Sequence, residues 1–248
     1  MKLIVFDVST CLAQFRKIYS TTSSLSYVFP PRTTIVGMVA SMLGKERDSY
    51  YELFSTNYCK VGLQIKKPVR RIVQTVNYLN TDRIALSTLR GIGNPAQVRA
   101  EVVLADDEPF SELCYRIFFH HVDEEVNLEL EKRLRSKKFW YPPSLGQLYS
   151  LADINYIDVD EKAEVSKLDS EVNLSTVIPR SIVESISPME GVKILIEERV
   201  PVEFLIDRSN CRTESYLYEG SGKPLKVRIK GDVFSCIVEG KKFVGTFM

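Results

Sequence analysis

The 248-residue chain is 44% hydrophobic and 26% charged, ordinary globular values that exclude disorder, a collagen-like repeat and a disulfide-framed miniprotein. Its formal net charge of +1 hides a division: residues 1–100 hold 14 Lys+Arg against 5 Asp+Glu, a balance of +9, and residues 101–248 hold 19 against 27, a balance of −8. Five scattered cysteines and two adjacent histidines offer no disulfide framework and no histidine-rich metal site, and no apolar run is long enough for a membrane span or signal peptide, which reads as a cytoplasmic protein.

Residues 2–9 read as a first strand, with Leu3, Val5 and Phe6 as its inward candidates. A polar stretch over 10–26 carries Arg16, Lys17 and Tyr19. Ile35, Met38, Val39, Met42 and Leu43 then fall on one helix face, with Pro31 suited to the first turn and Gly44 to the end. That helix has no capping side chain before it. A phosphate is one partner for its first amides, with Arg32 and Thr33 beside them; Thr33, Thr34 or water are the alternative. Residues 50–54 suggest a short second helix, and 60–65, 69–79, 97–104 and 115–122 read as strands. Between them, 80–95 has the composition of a long hairpin tip, with Arg83, Arg90, Gly91, Gly93 and Asn94.

Asn127 is the expected cap of a helix reaching about Arg135, whose acids come early and cations late, as the helix dipole favours. Residues 151–159 complete the order strand, helix, strand, strand, helix, strand. The fold class expected is therefore α+β: a ferredoxin-like, RRM-like domain over 1–160 with a β-hairpin thumb at about 68–100. Residues 161–190 read as acidic and irregular. Short strands at 192–196, 202–206, 215–219, 225–229, 233–238 and 242–247 then make a small β-rich lobe over 161–248. Gly220-Ser-Gly-Lys223 lacks a phosphate-loop frame and reads as a hairpin turn.

Between positions 60 and 99, Lys60, Lys66, Lys67, Arg70, Arg71, Arg83, Arg90 and Arg99 face only Asp82, an excess of +7. Such an excess along one surface favours a polyanion. The competing reading pairs these charges with the acidic half, or with an acidic protein neighbour. Trp140 and Tyr141 offer ring planes beside cations, as single-stranded RNA is commonly held, although Phe139 makes a packed cluster equally natural.

The stretch Phe29-Pro-Pro-Arg-Thr-Thr-Ile-Val-Gly-Met-Val-Ala-Ser-Met-Leu-Gly44 resembles the amino-terminal signature of the CRISPR-associated Cas-five family. Gln97-Val-Arg-Ala-Glu-Val-Val-Leu104 leading to Tyr115-Arg-Ile, the later Tyr141-Pro-Pro-Ser-Leu-Gly146 and the β-rich end fit the same family, the type I-B branch most of all. The resemblance runs in order and spacing over residues 1 to about 158. It implies a non-catalytic Cascade subunit that binds the 5′ handle of the CRISPR RNA (crRNA) and nucleates assembly. Its partners would be the crRNA and the backbone and large subunits, with target DNA met only through the complex, no membrane and no cofactor.

Resemblance and charge together assign RNA contact to Arg16, Lys17, Tyr27, Arg32, Thr33, Lys66, Lys67, Arg70, Arg71, Arg83, Arg90, Arg99, Trp140 and Ser144. The alternative is the type I-C branch, which cleaves precursor RNA without metal. His120 and His121 would have to serve, yet alternation sends them to opposite faces of a strand and no lysine stands next to them, so no catalytic residue is assigned.

Overall fold

Alternation along β1 (Leu3–Thr10) sends Ile4, Phe6 and Val8 to one side of a sheet and Leu3 and Val5 to the other, and all five are fully buried. A strand buried on both sides needs a layer on each. The computed structural model describes residues 1–20, 24–79, 86–92, 95–108, 111–187, 190–205 and 210–248, with Leu89 by its backbone alone. After β1 come the short pair β2 (Phe15–Arg16) and β3 (Ser26–Tyr27), then α1 (Arg32–Met42) and β4 (Cys59–Ile65). The ribbon strands β5 (Val69–Tyr78) and β6 (Ala96–Ala105) follow, with one helical turn, α2 (Leu86–Leu89), between them. The strand β7 (Leu113–His121), α3 (Glu124–Ser136) and β8 (Asp153–Asp160) complete the amino-terminal part. The main sheet runs β4-β7-β1-β8, each neighbour antiparallel.

The helices α1 and α3 supply the first layer. Ile35, Val39 and Met42 of α1 and Leu130 and Leu134 of α3 pack with Ile4, Phe6, Val61, Leu63, Ile117 and Phe119. At the end of α1, Gly44 N–H reaches Ser41 O and Lys45 N–H reaches Ala40 O, with Gly44 at φ 73°, so the predicted glycine stop is a Schellman motif. No side chain caps the start of α1, as its sequence suggests. The cap of α3 is a correction. Asp123, not Asn127, accepts the N–H of Glu125 at 2.9 Å, because the chain turns into the helix directly after β7. Asn127 is buried and exchanges two bonds with the His121 backbone. Residues 50–54 form hydrogen-bonded turns instead of a helix.

The carboxy-terminal half supplies the second layer. Its elements are β9 (Glu164–Leu174), β10 (Ile178–Pro179), a 3-10 turn at Arg180–Ile182, β11 (Val183–Ile186), β12 (Ile194–Phe204), β13 (Cys211–Glu219), β14 (Leu225–Val238) and β15 (Lys241–Gly245). One sheet runs β10-β13-β12; in another β14 pairs with β11, β15 and β9. The expected irregular stretch over 161–190 is therefore corrected: β9 pairs with β14 from Leu225↔Leu174 to Ser235↔Glu164. Its acids find cations across the ladder, Glu171 with Lys226 at 3.0 Å and Asp169 with Arg228 at 3.4 Å, which lets a charged segment form an edge strand. Two expected strand pairs also merge, 192–196 with 202–206 into β12 and 225–229 with 233–238 into β14.

Phe234, Cys236 and Val238 of β14 bury Leu3, Val5 and Phe118 on the far face of the main sheet. The layers meet closely at Gly62 of β4, where a Cβ would lie 3.0 Å from the Phe234 ring, and Gly245, opposite Phe234 in β15, leaves room for that same ring. The polar remainder of that face holds Arg116, which donates to Asp7 at 2.7 and 2.9 Å. In the turn at 220–223, the buried Glu219 carboxylate accepts the N–H groups of Ser221 and Lys223 at 2.8 and 2.9 Å. Those amides are taken by the protein's own anion, as a hairpin turn requires and a phosphate loop does not. Among the described residues no helix is long and apolar enough to cross a membrane.

Candidate nucleic-acid interface

The strands β5 and β6 pair along a ten-residue ladder, from Val69↔Ala105 to Tyr78↔Ala96, and β6 is also bridged to Ala13 at Val103 and to Ser24 at Ala100. Directly opposed residues share a face, so the register sorts the cations. Arg71, Val73, Thr75 and Asn77 share one face with Val103, Glu101, Arg99 and Gln97. Arg70, Ile72, Gln74, Val76 and Tyr78 share the other with Leu104, Val102, Ala100, Val98 and Ala96, which leaves Arg70 the one cation on that face of the ladder. Arg99 and Arg90 are exposed, and Arg70 lies 3.5 Å from Asp106. Lys66 is exposed at the ribbon's foot, where Lys67 donates to Ser111 at 2.9 Å. Arg83 lies outside the described residues.

At the ribbon's root the cations are anchored from beneath. Lys17 Nζ is bonded to Glu197 of β12, whose side chain is 4% exposed, and Arg71 Nη1 lies 3.9 Å from the same carboxylate. Glu101 sits 3.9 Å from Arg71 Nε and accepts the Ser26 N–H at 2.7 Å. Arg16 is exposed and donates to Ser20 O at 3.3 Å. Tyr27, expected at this surface, is instead fully buried and donates its hydroxyl to Arg199 O at 2.6 Å. Burial drives its phenol well above the usual range, so it has neither a free ring face nor an ionisable hydroxyl.

Arg32 is the sharpest departure from expectation. Its side chain is 1% exposed and donates to Val202 O at 3.1 Å, Phe54 O at 2.8 Å and Cys59 O at 2.7 Å. The guanidinium bolts β12 and the segment before β4 to the start of α1. Its hydrogen-bonding edge faces carbonyls, so the anion site built on it in sequence does not form. Thr33 beside it is half-buried.

Trp140 is 64% exposed and stands over Gly44, with the Arg133 guanidinium 5.5 Å from its ring centre. Its backbone N–H reaches Met42 O at 3.2 Å, which ties it to the end of α1. Ser144 is half-buried in a bridge to Leu151. The histidines do diverge. His121 is buried, accepting the Asp123 N–H at Nδ1 (3.0 Å) while Nε2 lies 2.8 Å from Leu53 O, so both ring nitrogens are occupied. His120 Nδ1 lies 2.8 Å from Lys2 O on the opposite face, and burial pushes its pKa down. Among the described residues no cluster of His, Cys, Asp and Glu is arranged to hold a metal ion.

A family model described as CRISPR-associated protein (Cas_Cas5) matches residues 3–139. The chain shares its fold with a CRISPR protein from Archaeoglobus fulgidus, at 18% identity and a TM-score of 0.54 with 99% of each chain covered. A chain of a CRISPR RNA-guided surveillance complex aligns at 12% identity over 91% of both chains, with a TM-score of 0.48. A chain of a type III-B Cmr-beta assembly, bound to cognate target RNA and AMPPnP, aligns at 11% identity over 91% of this chain and 86% of that one, with a TM-score of 0.49. No curated protein matches the sequence.

Proposed function

We propose, from the premise that this chain belongs to the Cas-five family of CRISPR-associated proteins, that it is the non-catalytic subunit of a type I Cascade surveillance complex that binds the 5′ handle of the crRNA. The observation that carries the reading is the two-stranded ribbon β5–β6. It forms a sheet separate from the main one, carries Arg70 and Arg71 near its root and Arg99 farther out, and belongs to a segment with an excess of +7. A polyanion is the ligand such a feature attracts, and single-stranded RNA is one whose backbone a ribbon can follow. The strand order β4-β7-β1-β8 with both helices on one face supports reading the amino-terminal part as a ferredoxin-like domain with the ribbon inserted as a thumb. The backbone and large subunits are the protein partners this role requires.

The test is binding of the full chain to handle-containing RNA and to unrelated RNA across a salt series. Replacing Arg70, Arg71, Arg90 and Arg99 with Ala should weaken binding and lower the salt slope by roughly 0.7 for each phosphate that is no longer neutralised. An unchanged slope in a folded variant would remove the ribbon from the RNA path, and equal binding of both RNAs would remove the handle.

A further inference from the structure

The pairing of β12 with β13 slips between Glu197↔Tyr216 and Val200↔Glu214, so β12 carries one residue more than its partner there. Within this bulge Arg199 has φ 54°, a conformation that residues with a Cβ rarely adopt. Such a backbone persists only where its surroundings hold it, and it concentrates at functional sites. Here the buried Tyr27 hydroxyl holds the Arg199 carbonyl. Glu197, two residues earlier, is bonded to Lys17 and accepts the Val28 N–H at 3.3 Å.

The bulge places the exposed Arg199 side chain over the Tyr19 ring, with the guanidinium carbon 5.1 Å from the ring centre. Lys17 Nζ lies 5.9 Å from that centre, and Tyr19 is 40% exposed. Arg71, at the same root, is 38% exposed, whereas the carboxylates that anchor it, Glu197 and Glu101, are 4% and 16% exposed. Glu197 therefore lies beneath with Lys17, whose side chain is 11% exposed, while Arg71 and Arg199 lie outside. The result is an aromatic ring among guanidinium and ammonium groups, assembled from the basic amino-terminal half and one arginine of the acidic half.

We propose that Tyr19 and Arg199 hold one unpaired nucleotide of the RNA, its base against the Tyr19 ring and the Arg199 guanidinium plane, its phosphate on the surrounding cations. This rests on the RNA-binding reading and adds to it a nucleotide site at the thumb root. Unpaired bases stack on aromatic rings and arginine planes, and cations beside them take the backbone. A duplex offers no free base face to such a pair, and an acidic peptide would use the cations without needing the ring.

The test measures binding of single-stranded handle RNA and of duplex RNA of equal length to the full chain. Tyr19→Ala should weaken single-strand binding about 5- to 150-fold with the salt slope unchanged, and Tyr19→Phe should keep most of the affinity. Arg199→Gly, which suits the positive φ and so keeps the fold, should weaken binding and lower the slope by roughly 0.7. Duplex binding should not change in any of the three. Affinity for single strands within twofold of the parent in both Tyr19→Ala and Arg199→Gly, while the four-arginine ribbon variant loses binding, would overturn this site and leave the RNA-binding reading intact. Absence of salt-dependent RNA binding by the parent chain would overturn both. Loss of a co-purifying protein subunit with RNA affinity unchanged would assign the surface to a protein neighbour and overturn the site.

Discussion

Arg32→Ala should unfold the protein more readily without acting on RNA directly. Three hydrogen bonds tie its guanidinium to Val202, Phe54 and Cys59 carbonyls, and α1, the segment before β4, and β12 meet there. A hydrogen bond from a charged donor contributes about 1.5–3 kcal/mol, and each buried carbonyl left unpaired costs about 1–3 kcal/mol. Against this, burial lowers the pKa of Arg32, and among the described residues no carboxylate pairs with it, so removing the charge recovers part of the desolvation cost. Three bonds at about 2 kcal/mol, less that relief, leave a net loss on the order of 3–4 kcal/mol. For a chain of this size that lowers Tm by about 6–16 °C, at roughly 2–4 °C per kcal/mol. Arg32→Met, which fills the space without donors, should lose nearly as much, because the same carbonyls stay orphaned. Urea melts followed by circular dichroism give the stability, and RNA affinity is measured where both proteins are folded. A loss below about 1 kcal/mol together with a tenfold fall in affinity would refute the reasoning, since it would mean that the guanidinium reaches RNA.

Glu219→Ala removes the acceptor for the Ser221, Lys223 and Lys193 amides and should cost about 2–3 kcal/mol in the same melts. Burial alone would raise the Glu219 carboxyl, but these donors and the Ser221 hydroxyl hold it below the usual glutamate range. Its contribution is therefore complete above about pH 4.5 and is lost as pH falls through the folded value; Glu219→Gln should flatten that limb of the stability profile. His120 has the same sign in a higher window: its lowered pKa means the unfolded chain takes up the proton first, so stability falls as pH drops below about 6.5, and His120→Gln should abolish that part of the slope. Full repeat RNA incubated with the protein in EDTA should remain intact on a denaturing gel. Specific cleavage lost in both His120→Ala and His121→Ala would overturn the non-catalytic proposal.

The face of α1 and the divergence of His120 and His121 follow from side-chain spacing alone, whereas β1, expected to have one inward side, is buried on both, with Leu3 and Val5 facing away from Phe6. β9 was not legible, because its charged residues are satisfied by cations of β14 some 60 positions away, and a residue-by-residue polarity reading sees only an acidic stretch. Arg32 was misjudged for a related reason: charge counts treat every cation as a surface charge, and the three carbonyls that bury this one come from positions 54, 59 and 202. Alternation along a strand sends the neighbours Arg70 and Arg71 to opposite faces; which partners each would meet needed the register with β6. The expected gap between strands at 196 and 202 did hold a signal, since the bulge that turns Arg199 toward Tyr19 lies within it.

A four-stranded sheet carrying aromatic residues on an open face is one way to stack splayed bases, and the far face of this sheet would be the natural place for it. Here Phe118 is stacked on Phe243 at 4.6 Å with the Phe234 ring centre 5.1 Å away, so the aromatic of that face is matched with those of β14 and β15. Opening it would expose Leu3, Val5, Phe118, Phe234, Cys236 and Val238, at about 2 kcal/mol each, or about 12 kcal/mol together. Stacking two bases returns about 2–6 kcal/mol. The closed face wins, and the polar remainder is occupied by Arg116 with Asp7. An RNA-binding role must then be carried at the sheet's margins, on structures that need no core of their own. The outer strand β5 of the ribbon is such a structure: exposed along most of its length, it can carry long charged side chains, which accounts for part of the concentration of cations between positions 60 and 99 in a protein whose net charge is only +1.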